Sequence, residues 1–419
     1  MEVIVIVGLV TLVLAIVRGV RARRQRAVAL AAAGQEVPTF QVVALGPRGS
    51  GKTLLLASMY HQLQTSSGRG WFLTAPYEQV VLLNQWFTDV ADPSRDWPAG
   101  TTVGETRDFT FAVRTTGASG TVHTVMHLGY LEYAGGLLTD AQAPGATGQA
   151  DLLARIGAAH ALIGVIDGYR VRQALDGQAV GQLHVQQSLT AMISLTMLAT
   201  SPVTFVITKW DLLRDIDVDE DARLQRIRKF LMGNQGFRDL VQTHSAHRVV
   251  RLVPVSAIGP DFAELDQRGN VAKLPDGQLH PTNVDVPLAA VVPDVFEQVE
   301  RSVDRATLRA AVERISRRAR PGPGGALAEL GAYLAHTAGK ALGALGPYQG
   351  FLGEAAIELF DPWAEAAGSR RTRLDQELRE MDQTLAEFQL ARRTVLRELR
   401  RRVDVLEGRL PSSRLSDGE

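Results

Sequence analysis

The chain has no cysteine among its 419 residues. This absence excludes disulfide bonds and metal sites built on cysteine sulfur, and it is compatible with a reducing compartment. Net charge is absent as well, since 45 Lys and Arg residues balance 45 Asp and Glu residues. No overall field attracts nucleic acid, and we expect none as a partner. The length exceeds one average domain and predicts two or three segments.

The N-terminus carries an uninterrupted apolar run, residues 3–17, which arginines follow at once. Positive charge precedes the apolar run in a signal peptide, whereas here it comes after. The pattern predicts a transmembrane helix over residues 1–20, a basic linker over 21–38 and a cytoplasmic remainder. The alternative is a signal peptide cut within residues 27–33.

A glycine-rich loop lies between an apolar run, residues 40–45, and an apolar helix. It matches the phosphate-binding pattern G-x-x-x-x-G-K-[ST] at Gly46, Gly51, Lys52 and Thr53. Glycines let backbone N–H groups approach phosphate oxygens, and the helix N-terminus adds a positive dipole end. Lys52 would reach the β- and γ-phosphates, and the Thr53 hydroxyl would ligand Mg²⁺. The loop therefore predicts a nucleotide phosphate site.

Short apolar runs at 159–167, 203–208 and 249–255 are typical of buried parallel strands, and helical stretches separate them. Two β-like runs, 106–115 and 122–133, precede them and are joined by a glycine-containing hairpin loop. The alternation predicts an α/β fold with a doubly wound, mostly parallel P-loop NTPase sheet. Right-handed crossovers would bring the motifs that follow the strands to one edge of this sheet.

Two of these motifs indicate which base is bound. The sequence Thr208-Lys209-Trp210-Asp211 ends one apolar run, and Ser256-Ala257 ends the next. A carboxylate at Asp211 could accept hydrogen bonds from both N1–H and N2–H₂ of guanine, a donor pair that adenine lacks. The Lys209 stem could lie along the base, and the Ala257 N–H could donate to the guanine carbonyl. The motifs therefore favour GTP over ATP, although Asp211 could also serve as a helix cap.

The ordered motifs resemble those of the P-loop GTPases of the Ras-like, translation-factor-related class, over roughly residues 39–300. The resemblance implies a domain over residues 39–301 that binds GTP or GDP with Mg²⁺. Leu131-Glu132-Tyr133-Ala134-Gly135 stands at the family's D-x-x-G, and Thr101 or Thr102 fits the metal-sensing threonine. The implied nucleotide-binding residues are Gly46, Gly49, Ser50, Gly51, Lys52, Thr53, Gly135, Thr208, Lys209, Asp211, Ser256 and Ala257. The implied metal ligands are Thr53, Thr101, Thr102 and Glu132, and the implied catalytic residues are Lys52, Arg48 and Glu132.

Departures from the family pattern concern hydrolysis. Glu132 replaces the usual Asp, and Gly136 stands where many members carry the glutamine that orients water. Arg48 replaces a small glycine near the γ-phosphate. Its side chain would either stabilise charge there or be solvated. We therefore expect slow hydrolysis.

The segment between Thr53 and Glu132 is longer than in a minimal Ras-like domain, because residues 71–92 predict an extra helix. This length favours a bacterial branch of the class, similar to the double-GTPase group. Together with the predicted N-terminal span, that resemblance implies a bacterial plasma (inner) membrane as the location. No second phosphate-binding loop follows in residues 301–419.

The C-terminal third predicts a helical region over residues 302–368. A heptad-like apolar pattern then predicts a coiled coil or a long amphipathic helix over 369–410, with Arg392 in one seam position. Residues 411–419 are expected to be a disordered tail. These helices could bind a protein effector or a second copy.

The sequence thus predicts a membrane-anchored GTP-binding switch that hydrolyses GTP slowly. One alternative is a nucleotide-binding scaffold with little or no turnover. Another is a dynamin-like GTPase that remodels membranes.

Overall fold

The computed structural model describes residues 37–101, 106–133, 146–245, 248–266, 270–302, 325–337, 345, 348–360 and 383–415. The strands are β1 (Thr39–Leu45), β2 (Phe72–Thr74), β3 (Thr106–Thr116), β4 (Val122–Tyr133), β5 (Ala161–Asp167), β6 (Val203–Thr208), β7 (Val250–Pro254), β8 (Ala263–Leu265) and β9 (Val271–Lys273). The helices are α1 (Lys52–Leu63), α2 (Tyr77–Ala91), α3 (Ala146–Ala158), α4 (Gly168–Leu175), α5 (Ala179–Thr196), α6 (Glu220–Met232), α7 (Gln235–His244), α8 (Val286–Ala289), α9 (Val291–Ser302), α10 (Gly325–Thr337), α11 (Gln349–Leu359) and α12 (Gln383–Arg409).

Seven strands form one sheet in the order β2-β3-β4-β1-β5-β6-β7. The five strands from β4 to β7 run parallel, whereas β3 is antiparallel to β4 and β2 to β3. Every residue of β5, β6 and β7 is buried, because helices cover both faces of this part of the sheet. The predicted α/β fold with a mostly parallel sheet is therefore confirmed.

The register of β1 against β4 determines which residues lie side by side at the ends of these strands. Ala44 lies opposite Glu132, so that the end of β4 stands beside the start of the glycine-rich loop. β3 and β4 form the expected hairpin, with the turn at residues 117–121. This turn lies at the end of β4 away from Glu132, while the start of β3 pairs with Tyr133.

The membrane-spanning part of the predicted fold class is corrected. None of the helices that the structure describes is long and apolar enough to cross a bilayer. Residues 1–36, which include the expected span at 1–20, lie outside the described residues. The fold class becomes an α/β domain with a mostly parallel sheet and helices after it.

Helix α12 packs along the domain itself. It contacts α8, α9, α11 and the β3–β4 hairpin. Its apolar seam is buried, and the buried seam residues are Phe388, Val395, Leu399, Val403, Leu406 and Leu410. Arg392, in the same seam, is 0% exposed and pairs with Glu354 of α11 through Nη2–Oε1 at 2.6 Å and Nε–Oε2 at 2.7 Å. The seam therefore faces the chain's own sheet and helices.

The segment after α12 is also packed. Ser412 donates its backbone N–H to Asp221 at 3.0 Å, and the Leu415 N–H donates to the carbonyl of Val250 in β7 at 3.0 Å. Leu415 is buried. The expectation of a disordered tail is thus wrong for residues 411–415, because apolar burial and backbone pairing hold them. Residues 416–419 lie outside the described part of the chain.

A buried ionic cluster joins β7, α9, α12 and this segment. Arg251 of β7 donates to Asp294 at 2.7 Å and to Glu297 at 2.9 Å, and it also pairs with Glu407 of α12. Arg414 pairs with Glu297 and Glu407. In the described chain, three carboxylates thus share two guanidinium groups. Burial and the neighbouring carboxylates raise the pKa of Asp294 to about 6, although Arg251 opposes the shift.

Candidate functional site

The glycine-rich loop connects β1 to α1 with a backbone that requires glycine. A Cβ on Gly46 would lie 2.7 Å from the carbonyl oxygen of Val165 in β5, so a side chain cannot fit there. Gly51 has a φ of 89°, in the left-handed region that glycine favours. The Lys52 ammonium donates to the carbonyls of Gly46 at 2.7 Å and Pro47 at 3.0 Å. Burial lowers the pKa of Lys52 to about 8, and Glu132 opposes this shift.

Three residues that the sequence predicted as metal ligands lie together, two threonines bonded to one carboxylate. The hydroxyls of Thr53 and Thr101 each donate to Oε1 of Glu132, at 3.0 Å in both cases. Glu132 is 1% exposed, and its Oε2 has no hydrogen-bond partner among the described residues. A buried, unpartnered carboxylate oxygen is costly in the absence of a cation. Two hydroxyls and a carboxylate are oxygen ligands of the kind that Mg²⁺ takes, so the residues fit this ion.

The remaining residues that were predicted to contact the phosphates or the metal differ in their exposure to solvent, and two of them lie outside the described residues. Arg48 and Gly49 are exposed at the edge of the loop, and Ser50 is buried. Thr102 and Gly135, both predicted to contact the nucleotide or its metal, lie outside the described residues. Thr101 and Thr102 were the two alternatives for the metal-sensing threonine. Thr101, which the structure describes, donates to Glu132.

The motif after β6 and the motif after β7 meet. The Ser256 hydroxyl donates to Oδ1 of Asp211 at 2.5 Å and accepts from the Gly259 N–H at 2.8 Å. Burial raises the pKa of Asp211, and the hydrogen bond from Ser256 opposes this effect. Ser58 of α1 donates to the Ala257 carbonyl at 2.8 Å, which fixes this loop against the phosphate-side helix. The structure thus brings together Asp211, Ser256 and Ala257, as the sequence predicts.

One hydroxyl joins the two halves of the site. Thr208 Oγ1 lies 2.6 Å from the carbonyl oxygen of Ser50 in the glycine-rich loop and 3.1 Å from that of Ile166 in β5. Lys209, the next residue, has a φ of 53°, a left-handed conformation that is uncommon outside glycine. Its ammonium donates to Asp167 at 2.8 Å.

A single cavity of about 510 Å³ runs across these groups. Lys52, Thr53 and Glu132 line it, and so do Lys209 and Asp211. Its lining therefore contains, together, residues that the sequence predicts to bind phosphate, metal and base.

Sequence reasoning missed several residues of this cavity. Asp167 holds Lys209 and also caps α4 by accepting from the Tyr169 N–H at 3.0 Å. Its position at the end of an apolar run was a usable signal. Trp97 and Val271 also line the cavity, and the indole of Trp97 donates to the Val271 carbonyl at 2.9 Å. No local motif marks this contact, because its partners come from distant segments.

No protein-family model matches the chain, and no curated protein matches it. The seven-stranded, mostly parallel sheet with alternating helices is compatible with the fold of P-loop NTPases. Assignment of the ligand therefore depends on the geometry of the cavity.

Proposed function

We propose that the chain is a guanine-nucleotide-binding switch protein of the Ras-like, translation-factor-related class, which binds GTP or GDP with Mg²⁺. The observation that carries the proposal is the cavity that contains the glycine-rich loop and Glu132 together with Asp211. A nucleoside di- or triphosphate has its charged phosphates at one end and its hydrogen-bonding base at the other. The cavity is lined by groups that suit each of these two ends.

The phosphate end would be held by the backbone of the loop, by the N-terminus of α1 and by Lys52. Lys52 now donates to carbonyls of its own loop, at 2.7 and 3.0 Å, so the ammonium is already directed into the loop. Thr53, Thr101 and Glu132 would hold Mg²⁺, directly or through water. The ion would supply positive charge to the phosphate oxygens.

The guanine end would be read by Asp211. The hydrogen bond from Ser256 to Oδ1 fixes the orientation of this carboxylate. A fixed carboxylate discriminates well, because a base without the N1–H and N2–H₂ donor pair leaves its remaining acceptor positions unmatched. Guanine is therefore favoured over adenine.

The switching part of the proposal concerns the two ends of the β3–β4 hairpin. One end adjoins Glu132 at the metal site, and the turn at the other end contacts α12. Ser119 in the turn donates to Glu387 of α12 through its backbone N–H at 2.8 Å and its hydroxyl at 2.6 Å. The hairpin would therefore transmit the nucleotide state to the C-terminal helices, and from there to a protein effector or a second copy.

A substitution at Asp211 tests the base assignment. Asp211→Asn replaces an acceptor by an amide that can donate to the 2-oxo group of xanthine. We expect the variant to lose at least about tenfold in GDP affinity and to gain xanthosine diphosphate affinity, measured by calorimetry. Asp239→Asn, at an exposed position on α7, is the matched control and should leave both affinities unchanged. Equal ADP and GDP binding by the unmodified protein would contradict the guanine assignment.

A second candidate is a nucleotide-binding scaffold without useful turnover. It is favoured by the exposure of Arg48 and by the replacement of Asp by Glu at position 132, where the longer side chain is already bonded by two hydroxyls. Single-turnover GTP hydrolysis discriminates between the two. Sustained turnover by the isolated protein would exclude the scaffold.

A further inference from the structure

The segment that follows Ser256-Ala257 packs against the part of the chain between α2 and Thr101. The buried side chains of Val90, Ile258, Phe262 and Ala263 form a small apolar cluster separate from the main core. Trp97 and Val271 pack against this cluster, together with Leu54 and Leu279. The cluster therefore joins the end of α2, the loop before Thr101 and strand β9.

Lys273, at the end of β9, binds the backbone of this loop. Its ammonium donates to the carbonyls of Asp92 at 2.9 Å and Arg95 at 2.8 Å, and also to that of Asp89. It lies 4.7 Å from the centre of the Trp97 ring, within the range of a cation–π contact. An ammonium has three N–H donors, so three carbonyls satisfy its hydrogen-bonding capacity.

A second contact runs in parallel. The Trp97 indole N–H donates to the Val271 carbonyl at 2.9 Å, two residues before Lys273. Each of the two contacts has one partner on β9 and the other on the segment from Asp89 to Trp97. The loop is thus attached to β9 through its backbone carbonyls and through its one indole. We call these contacts, made by Lys273 and Trp97, the β9 latch.

The latch lies close to the metal-binding group. Thr101 follows Trp97 by four residues and donates to Glu132 at 3.0 Å. Trp97, Thr101 and Val271 all line the cavity. The contacts that fix the loop on β9 therefore lie at the same wall of the cavity as Thr101.

We propose that Lys273 is a positioning residue for nucleotide retention, which acts through the β9 latch to hold Thr101 at the metal site and the loop closed beside the bound nucleotide. The proposal rests on the proposed function, since the ligand it retains is a guanine nucleotide with Mg²⁺. Release of that ligand requires the loop to move away from β9. Loss of the latch therefore increases the dissociation rate.

The experiment measures release of GDP that carries an N-methylanthraniloyl fluorophore, chased by excess unlabelled GDP. Lys273→Met keeps the aliphatic stem and removes the donors. It should accelerate release in Mg²⁺ by about tenfold, because hydrogen bonds to charged groups are stronger than neutral ones. In EDTA, where the Thr101 contribution to metal binding is gone, the difference between variant and unmodified protein should shrink to about twofold.

Two further variants separate positioning from general stability. Lys273→Arg keeps the charge and N–H donors and should restore part of the slow release. Lys229→Met, at an exposed position on α6, is the matched control and should release GDP at the unmodified rate. If Lys273→Met does not fold, Trp97→Phe removes the indole donor to Val271 alone and should accelerate release about threefold.

Release by folded Lys273→Met at the unmodified rate in Mg²⁺ would overturn the latch while leaving the nucleotide assignment intact. An equal acceleration in Mg²⁺ and in EDTA would also overturn it, because the effect would not pass through the metal site. Failure of the unmodified protein to bind labelled GDP would instead contradict the proposed function, and the latch with it.

Discussion

Glu132 has two oxygens in unlike surroundings. Oε1 accepts hydrogen bonds from two threonine hydroxyls, whereas Oε2 is buried without a partner among the described residues. Such an arrangement is favourable once a cation neutralises the carboxylate, which is the physical basis of the proposed Mg²⁺ site.

Replacement of this residue gives a prediction at the scale of one side chain. Glu132→Gln keeps the size and removes the charge. Mg²⁺ affinity in the presence of GDP should fall by about 10- to 100-fold, which is the usual effect of removing an outer group of a metal site. Magnesium titration at fixed GDP measures this, and Glu78→Gln, exposed on α2, is the control. Unchanged magnesium dependence would remove Glu132 from the proposed metal site.

From the sequence, residues within local motifs could be placed near one another. Lys52 and Thr53 follow from the spacing of one loop, and Asp211 and Ser256 from motifs at the ends of adjacent parallel strands. Parallel strands bring such ends together whatever the intervening chain does. Lys273 follows no such rule, because its partners are backbone carbonyls of a distant loop, and carbonyls leave no mark in a sequence.

At the scale of the element, α12 shows what a heptad-like pattern determines. The pattern predicts a long helix with one apolar face, and α12 has this face. The same pattern is compatible with a coiled coil and with a helix that packs on its own domain. The sequence therefore did not determine what the apolar face of α12 contacts. The polar residue in the seam, Arg392, lies opposite Glu354, a residue whose position relative to α12 depends on the tertiary fold.

The buried Arg392–Glu354 pair should contribute measurably to the stability of the protein. Arg392→Met leaves a buried carboxylate unpaired and should lower the free energy of unfolding by about 3–5 kcal/mol. The double variant with Glu354→Leu should recover most of that loss, because an apolar pair of similar volume avoids the desolvation of both charges. Urea unfolding of the single and double variants measures the coupling.

The matched control for this pair is an exposed one. Arg401 and Glu398 on α12 form an ion pair at 2.9 Å, with side chains 60% and 28% exposed. Arg401→Met should change stability by less than about 1 kcal/mol. Equal costs for Arg392→Met and Arg401→Met would contradict the view that burial makes the first pair important.

At the scale of the whole molecule, the buried ionic cluster connects the edge of the sheet to the C-terminal helices. Arg251, Asp294 and Glu297 lie on β7 and α9, while Glu407 and Arg414 come from α12 and the segment after it. Burial, together with the neighbouring carboxylates, raises the pKa of Asp294 against the effect of Arg251, so the folded protein keeps a proton on Asp294 that the unfolded chain releases at lower pH.

The pH dependence of global stability follows from this proton. Between about pH 4 and pH 6 the folded state binds more protons here than the unfolded state, so stability decreases as pH rises. The contribution is up to about 3 kcal/mol. Asp294→Asn should flatten this slope in chemical unfolding followed from pH 4 to pH 7, and Asp239→Asn should not. A slope that persists unchanged in Asp294→Asn would assign the dependence to other groups.

The backbone pairing of Leu415 with Val250 has a consequence for synthesis on the ribosome. β7 is the outermost parallel strand of the sheet, and its free edge is occupied in part by a segment translated long after it. Until residues 411–415 emerge, the nascent chain presents an open strand edge that another nascent chain could pair with.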